Sequence, residues 1–215
     1  MKDWSELERL CAEPLDRANV KERRQAGSVL SYVDGYYVKR RLSEVFGVAG
    51  WSSSVTVLAQ EGPAYEAKSR SGNVTQRVAY RCEVALTVRG RTGGVGGDPV
   101  RVLEVTKTDV GTGLGSAADL NEAREKAMKE AATDALKRAA ALLGDSFGLA
   151  LYDKAQANVE DARQRQQREA LERAAVQLVD ALKSAPDKAA KAEVWEAAHP
   201  DVQRRVREMK EQAGA

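Results

Sequence analysis

Two hydrophobic periods alternate along this chain. Apolar residues return every three or four positions in 5–12, 36–46 and 119–143, and every second position in the stretch between. The first helical segment, "SELERLCA" at 5–12, has Ser5 as its expected N-cap, Glu8 completing a capping box, and Pro14 closing it. "KERRQAG" at 21–27 reads as a polar connector, and "VLSYVDG" as a short extended run. Asp34 is placed to cap a helix over "YYVKRRLSEVF", 36–46, which Gly47 ends in a left-handed conformation. Val38, Leu42 and Val45 form the core stripe of that helix, and Lys39, Arg40 and Arg41 lie around its other side.

From Trp51 the period is two. "WSSSVTVLAQ" predicts a strand, and "EGPAYEAKSRSGN" carries turn signals around a short one. In "RVAYRCEVALTVR" the even positions Val78, Tyr80, Cys82, Val84, Leu86 and Val88 are apolar, while Arg77, Arg81, Glu83, Thr87 and Arg89 fall on odd ones. "GRTGGVGGDP" is then a hairpin tip and "VRVLEVTKTDV" the returning partner, which together predict an antiparallel meander. The glycine-rich "VGTGLGSAADL" reads as a tight strand-to-helix connection. It lacks the Gly-Lys-Ser/Thr ending of a phosphate loop, and Ser116 replaces the third glycine of a dinucleotide fingerprint. Asp119 and Glu122 offer a capping box to a long helix ending near Leu143-Gly144.

Beyond Ala155 the chain is rich in Ala, Glu, Arg, Gln and Lys, with a sparse stripe of Leu171, Leu178 and Leu182. Pro186 separates this helix from a second piece at about 191–212. A stripe so thin leaves the extension partly ordered when isolated. The expected fold class is α+β: a three- to four-stranded antiparallel meander packed on a long helix, with a C-terminal helical extension. The expected division is 1–24 as N-terminal helix and connector, 25–154 as core, and 155–215 as extension.

Composition narrows the chemistry. Hydrophobic content of 43% suits a folded protein, and 31% charged residues leave a net of only +2, so any basic surface must come from local segregation. Cys11 and Cys82 stand far apart in apolar settings, as buried thiols of a reducing compartment do. "MKDWSELERL" shows no secretory pattern and no apolar run reaches membrane-spanning length, so a cytoplasmic location away from membranes is expected. His199 is the single histidine, and Glu104, Asp109, Glu130 and Asp134 show no metal-ligand spacing. No catalytic residues, cofactor or metal site is therefore expected, and a metal-dependent nuclease ranks low. The basic positions say more. Lys126, Lys129, Thr133 and Lys137 make a stripe on the long helix with Arg138 beside it. Either this is a solvated face balanced by Glu122, Glu125, Glu130 and Asp134, or it converges with the basic helix 36–46 and the strand arginines into a groove.

Two segments carry a resemblance. "SYVDGYYVKRRLSEVFGVAGW" (31–51) and "KAMKEAATDALKRAAALLGDSFGLALYDK" (126–154) resemble, without gaps and in order, two motifs of the Rad52 family of single-strand annealing proteins. With the N-terminal helix, hairpin and tail, the chain looks most like the bacterial DdrA (DNA damage response A) type of that family. The resemblance implies a β-β-β-α core assembled into a homo-oligomeric ring, with single-stranded DNA in a basic outer groove. Lys137 and Arg138 match the family's Lys-Arg pair, which contacts the phosphate backbone. Lys39, Arg40, Arg41 and Lys126 are secondary candidates for DNA contact. An arginine expected in the first helix is Tyr37 here, a basic residue one turn beyond the pair is Ala141, and Val48 stands where an aromatic is often found. The implied function is non-enzymatic: double-strand-break repair by protecting single-stranded ends, 3′ in the DdrA type, and annealing complementary strands near the nucleoid. Other repair proteins would dock on the C-terminal extension. A structure-selective RNA-binding module and a purely architectural oligomer are the alternatives.

Overall fold

The longest period-two segment becomes the axis of the sheet. The computed structural model describes residues 1–25, 27–68, 72–93 and 99–213. In chain order the elements are α1 (Trp4–Cys11), β1 (Lys21–Gln25), β2 (Ser28–Tyr32), α2 (Gly35–Phe46), β3 (Trp51–Gln60) and β4 (Tyr65–Lys68). They continue with β5 (Val74–Thr92), β6 (Arg101–Ala117), α3 (Leu120–Ala141), α4 (Ala162–Ser184), α5 (Lys188–Ala197) and α6 (Pro200–Ala213). Most of the expected hairpin tip, 94–98, and residues 69–71 of the turn-rich stretch lie outside the described residues.

The central strand β5 pairs antiparallel with β6 along one edge and with β3 and then β4 along the other. Strands β3 and β4 act as one interrupted column, so the sheet is the three-column meander expected of this pattern. Val78, Cys82, Val84, Leu86 and Val88 of β5 are at most 1% exposed and face the helices, while Arg81 and Thr87 sit on the open side. Across that open side Arg89 pairs with Glu104 at 2.6 Å and Thr87 meets Thr106 at 2.9 Å.

The glycine-rich run corrects the sequence reading: it is no connection but the second half of β6. Gly111, Gly113 and Gly115 alternate onto the helix face, where α3 presents Ala123, Ala127, Ala131 and Ala135, all fully buried. A Cβ on Gly115 would lie 1.7 Å from the Ala123 carbonyl oxygen. Strand and helix backbones thus touch through a seam of glycine and alanine, and no other residue type fits there. Asp119 caps α3 by accepting from the N–H groups of Asn121 and Glu122, whereas the Glu122 carboxylate pairs with Lys126 at 2.7 Å.

Three further expectations change. Asp3 rather than Ser5 caps α1, accepting from the Ser5 N–H at 3.1 Å. "KERRQAG" is not a connector, because Lys21–Gln25 forms strand β1, which hairpins with β2 through Gly27 (φ 83°). The C-terminal extension holds three helices rather than two. Elsewhere α2 matches its prediction: Asp34 accepts from the Tyr37 N–H at 2.7 Å, Val38, Leu42 and Val45 are at most 1% exposed, and Gly47 has φ 79°.

The chain divides into two compact units, Met1–Val159 and Glu160–Ala215. The first is centred on Val38, Leu42, Phe46, Leu86, Leu136 and Phe147, with Leu7 and Leu15 sealing it from the N-terminal side. The second buries Ala175 and Leu178 of α4 against Val206 of α6, with Trp195 of α5 packed on them. An Arg205–Glu172 ion pair of 2.6 Å joins α6 to α4, and Asp187 caps α5 just past the break at Pro186. Among the described residues no helix is long and apolar enough to cross a membrane.

Candidate nucleic-acid interface

The hairpin β1–β2, the C-terminal half of α3 and the turns after it enclose a groove of about 470 Å³. The sequence explains each wall. In β1–β2, Arg23 pairs in register with Leu30, so both reach the groove side together with Tyr32. On α3, Lys137 and Arg138 follow the buried Ala135 and Leu136 and so emerge at the edge of the packed face. After α3, Gly148 takes φ 105°, a conformation costly for any other residue, and turns Leu149–Leu151 back along the groove to present Tyr152. The Tyr37 hydroxyl, in a buried hydrogen bond of 2.7 Å to the Ser146 carbonyl, pins this segment onto α2. Burial pushes the Tyr37 phenol pKa up and keeps it a neutral donor.

The cations are held in place. The Lys137 ammonium lies 5.6 Å from the centre of the Tyr32 ring, and the Arg23 guanidinium lies 5.8 Å from the same ring. Asp134 stands 3.7 Å from Lys137. Arg138 donates through Nε to Asp109 on β6 at 3.1 Å, which raises its already high pKa further and fixes the guanidinium plane. That bond uses only Nε, so the terminal nitrogens keep their donor capacity for a ligand. The side chain of Arg138 is 45% exposed and that of Lys137 25%. Below them lie Val33, Ala141 and Phe147, all buried and apolar.

Of the six candidate DNA contacts, Lys137 and Arg138 meet in this groove and the other four lie outside its lining, while Ala141, where the resemblance expects a basic residue, lines it without a charge. Lys39 and Arg40 are exposed on α2, with Arg40 paired to Glu44 at 3.4 Å. Arg41 turns inward: its side chain is 17% exposed and donates to Glu13 and to the Leu10 carbonyl, both at 2.8 Å. Lys126 sits eleven residues before Lys137, about 16 Å along the helix axis, and is paired with Glu122. Tyr37, at the position where the resemblance expects an arginine, is buried and brings no cation. Arg23, Tyr32 and Tyr152 were missed. The available signal for the first two was a pair of five-residue extended runs joined at Gly27. For Tyr152 the signal was an aromatic just past a left-handed glycine.

Comparison with known proteins agrees with this architecture. The Rad52/22 family of double-strand break repair proteins matches residues 3–170. The DNA repair and recombination protein rad22 of Schizosaccharomyces pombe is 29% identical over 129 residues, 60% of this chain. Those residues span only 24% of rad22, so the chain corresponds to about a quarter of that relative. With the family matched across most of its length, and with an antiparallel sheet and six helices consistent with that family, the chain belongs to the Rad52/22 family of double-strand break repair proteins.

Proposed function

We propose that this protein binds single-stranded DNA along its sugar–phosphate backbone, with Lys137 and Arg138 as the principal phosphate contacts and Arg23 beside them. The carrying observation is that these three cations open onto one groove, two of them over a shared tyrosine ring. Lysine and arginine on phosphate leave base edges unread, which suits a protein that must act on any broken end. Lys39, Arg40 and Lys126 extend the basic surface on either side, while Arg41 serves the packing of α1 on α2.

The sheet supports assembly into a homo-oligomeric ring. Both outer edges, β3 with β4 and β6, lack a strand partner among the described residues, and Val55 and Val57 on β3 are about half exposed. An open edge of this kind pairs with another chain, and many copies of one groove supply the affinity that a net charge of +2 per chain does not. In this reading the protein is of the DdrA type. It acts without enzymatic turnover near the nucleoid, protects 3′ single-stranded ends and anneals complementary strands. Its helical C-terminal unit is the surface for other repair proteins.

Light scattering combined with fluorescence anisotropy on single-stranded DNA, duplex DNA and duplex RNA tests this. Large particles that prefer single-stranded DNA are expected. A monomer preferring duplex RNA would replace this reading with that of an RNA-binding module, and rings binding no nucleic acid would leave only an architectural role.

A further inference from the structure

Positive groups open onto the groove, and a carboxylate opens onto it with them. Asp134 lines the same groove as Arg23, Lys137 and Arg138, and its carboxylate stands 3.7 Å from the Lys137 ammonium. Pairs three or four residues apart are ordinary on a helix surface. Glu122–Lys126 and Glu125–Lys129 on α3 are of that kind, outside the groove and with every side chain more than half exposed. The Asp134–Lys137 pair has a different setting. Its side chains are 38% and 25% exposed, beside the buried and apolar Val33, Ala141 and Phe147. With less water between them, charges there act on one another and on a ligand more strongly. The two carboxylates next to the cation pair therefore do opposite things. Asp109 lies outside the lining and takes only Nε of Arg138, leaving the terminal nitrogens to a ligand. Asp134 lies inside the lining, and Lys137 has a single compact ammonium to divide between it and a phosphate.

We infer that Asp134 is a built-in competitor for the DNA strand: it shares Lys137 with the phosphate, repels that phosphate at short range, and keeps the contact exchangeable. The inference rests on the phosphate-contact reading and adds what that reading lacks, a means of release. A protein that only covered an end would gain from the tightest grip on every phosphate. One that pairs strands must also let its strand go. In a ring, many copies of the groove act on one strand, so a small weakening in each is multiplied over all those engaged. Asp134 thus limits affinity without touching the fold, and it acts on the strand through charge rather than as a contact.

Asp134→Asn keeps the shape of the side chain and removes its charge. Anisotropy titrations with single-stranded DNA should show it binding about 3- to 10-fold more tightly per groove engaged, the effect of one like charge roughly 6 Å away in water-rich surroundings. Release of a labelled strand into excess unlabelled strand should slow by a similar factor. Asp134→Ser, with a shorter neutral side chain, should repeat the gain, and thermal unfolding curves coincident with wild type check that both variants keep the fold. Glu125→Gln removes the same charge from the solvated side of α3 and should leave affinity nearly unchanged. Affinity of the Asp134 variants equal to or below that of wild type overturns the inference while leaving the phosphate contacts standing, and an equal gain from Glu125→Gln overturns it in favour of net charge alone. Tighter binding with unchanged release overturns the role in exchange. Undiminished binding by the Lys137→Ala, Arg138→Ala double variant overturns the phosphate contacts, and the inference with them.

Discussion

Replacing Gly111 by alanine adds one methyl group where two backbones already touch. A Cβ at this position would stand 2.1 Å from the Ala135 nitrogen and 2.6 Å from the Ala131 oxygen. Neither is the tip of a flexible side chain, so α3 would have to retreat from β6 by on the order of 1 Å. Overpacking of a core costs about 1–3 kcal/mol, and contact with rigid backbone puts this case at the upper end. Opposing it is the smaller conformational entropy of unfolded alanine, which favours the variant by about 0.4–1 kcal/mol. The clash wins, leaving a net loss of about 2 kcal/mol or more. For a protein of this size that lowers Tm by about 4–8 °C at fixed protein concentration. Ala135 lies one turn or less from Lys137 and Arg138, so the same retreat loosens both from Tyr32 and Asp109 and weakens DNA binding. Thermal unfolding by circular dichroism measures the first effect, with Thr112→Ala on the exposed face as a control expected to change little. If Gly111→Ala is neutral or stabilising, the close-packed seam is refuted, because an exposed strand glycine gains stability on becoming alanine.

Arg41→Ala removes one partner each from Glu13 and the Leu10 carbonyl, which keep Arg9 and the Ser146 hydroxyl. It should cost about 1–3 kcal/mol in denaturant unfolding and leave single-strand affinity unchanged; lost affinity with full stability would make Arg41 a DNA contact after all. Asp34 has its carboxyl held below the usual carboxylate range by the hydrogen bond from Lys21 and by the Tyr37 N–H. Because the folded pKa is the lower one, its stabilisation is present above the ordinary carboxylate pKa of about 4 and is lost as pH falls through the folded value. Asp34→Asn keeps a capping oxygen but not the charge. Urea midpoints measured against pH should therefore show wild type ahead at neutral pH and the two converging in acid; a gap that persists in acid contradicts the assignment.

The sheet and the long helix were legible because each repeats its period over many residues. The six alternating apolar positions from Val78 to Val88 and the alanines of α3 need no tertiary context to be read. Strand β1 was hidden because five residues, four of them charged, give no alternation to detect. The glycine half of β6 was hidden for a different reason. Glycine has no side chain to mark a face, and its spacing becomes meaningful only against the alanines of α3. Arg41 could not be told from Arg40 by helical position, since its orientation depends on Glu13 in another element. Lys137 and Arg138 were visible through family resemblance, whereas their companions Arg23, Tyr32 and Tyr152 come from segments that only the fold brings together.

The central claim is that Lys137 and Arg138 hold phosphates. Its most direct measurement is the salt dependence of single-stranded DNA binding by wild type and by the Lys137→Ala, Arg138→Ala double variant. Each phosphate neutralised on a single strand contributes about −0.7 to the slope of log K against log salt. Loss of two contacts should make the slope shallower by about 1.4 for each subunit engaged, with weaker binding at low salt. An unchanged slope and affinity would contradict the account and return the pair to a solvated helix face.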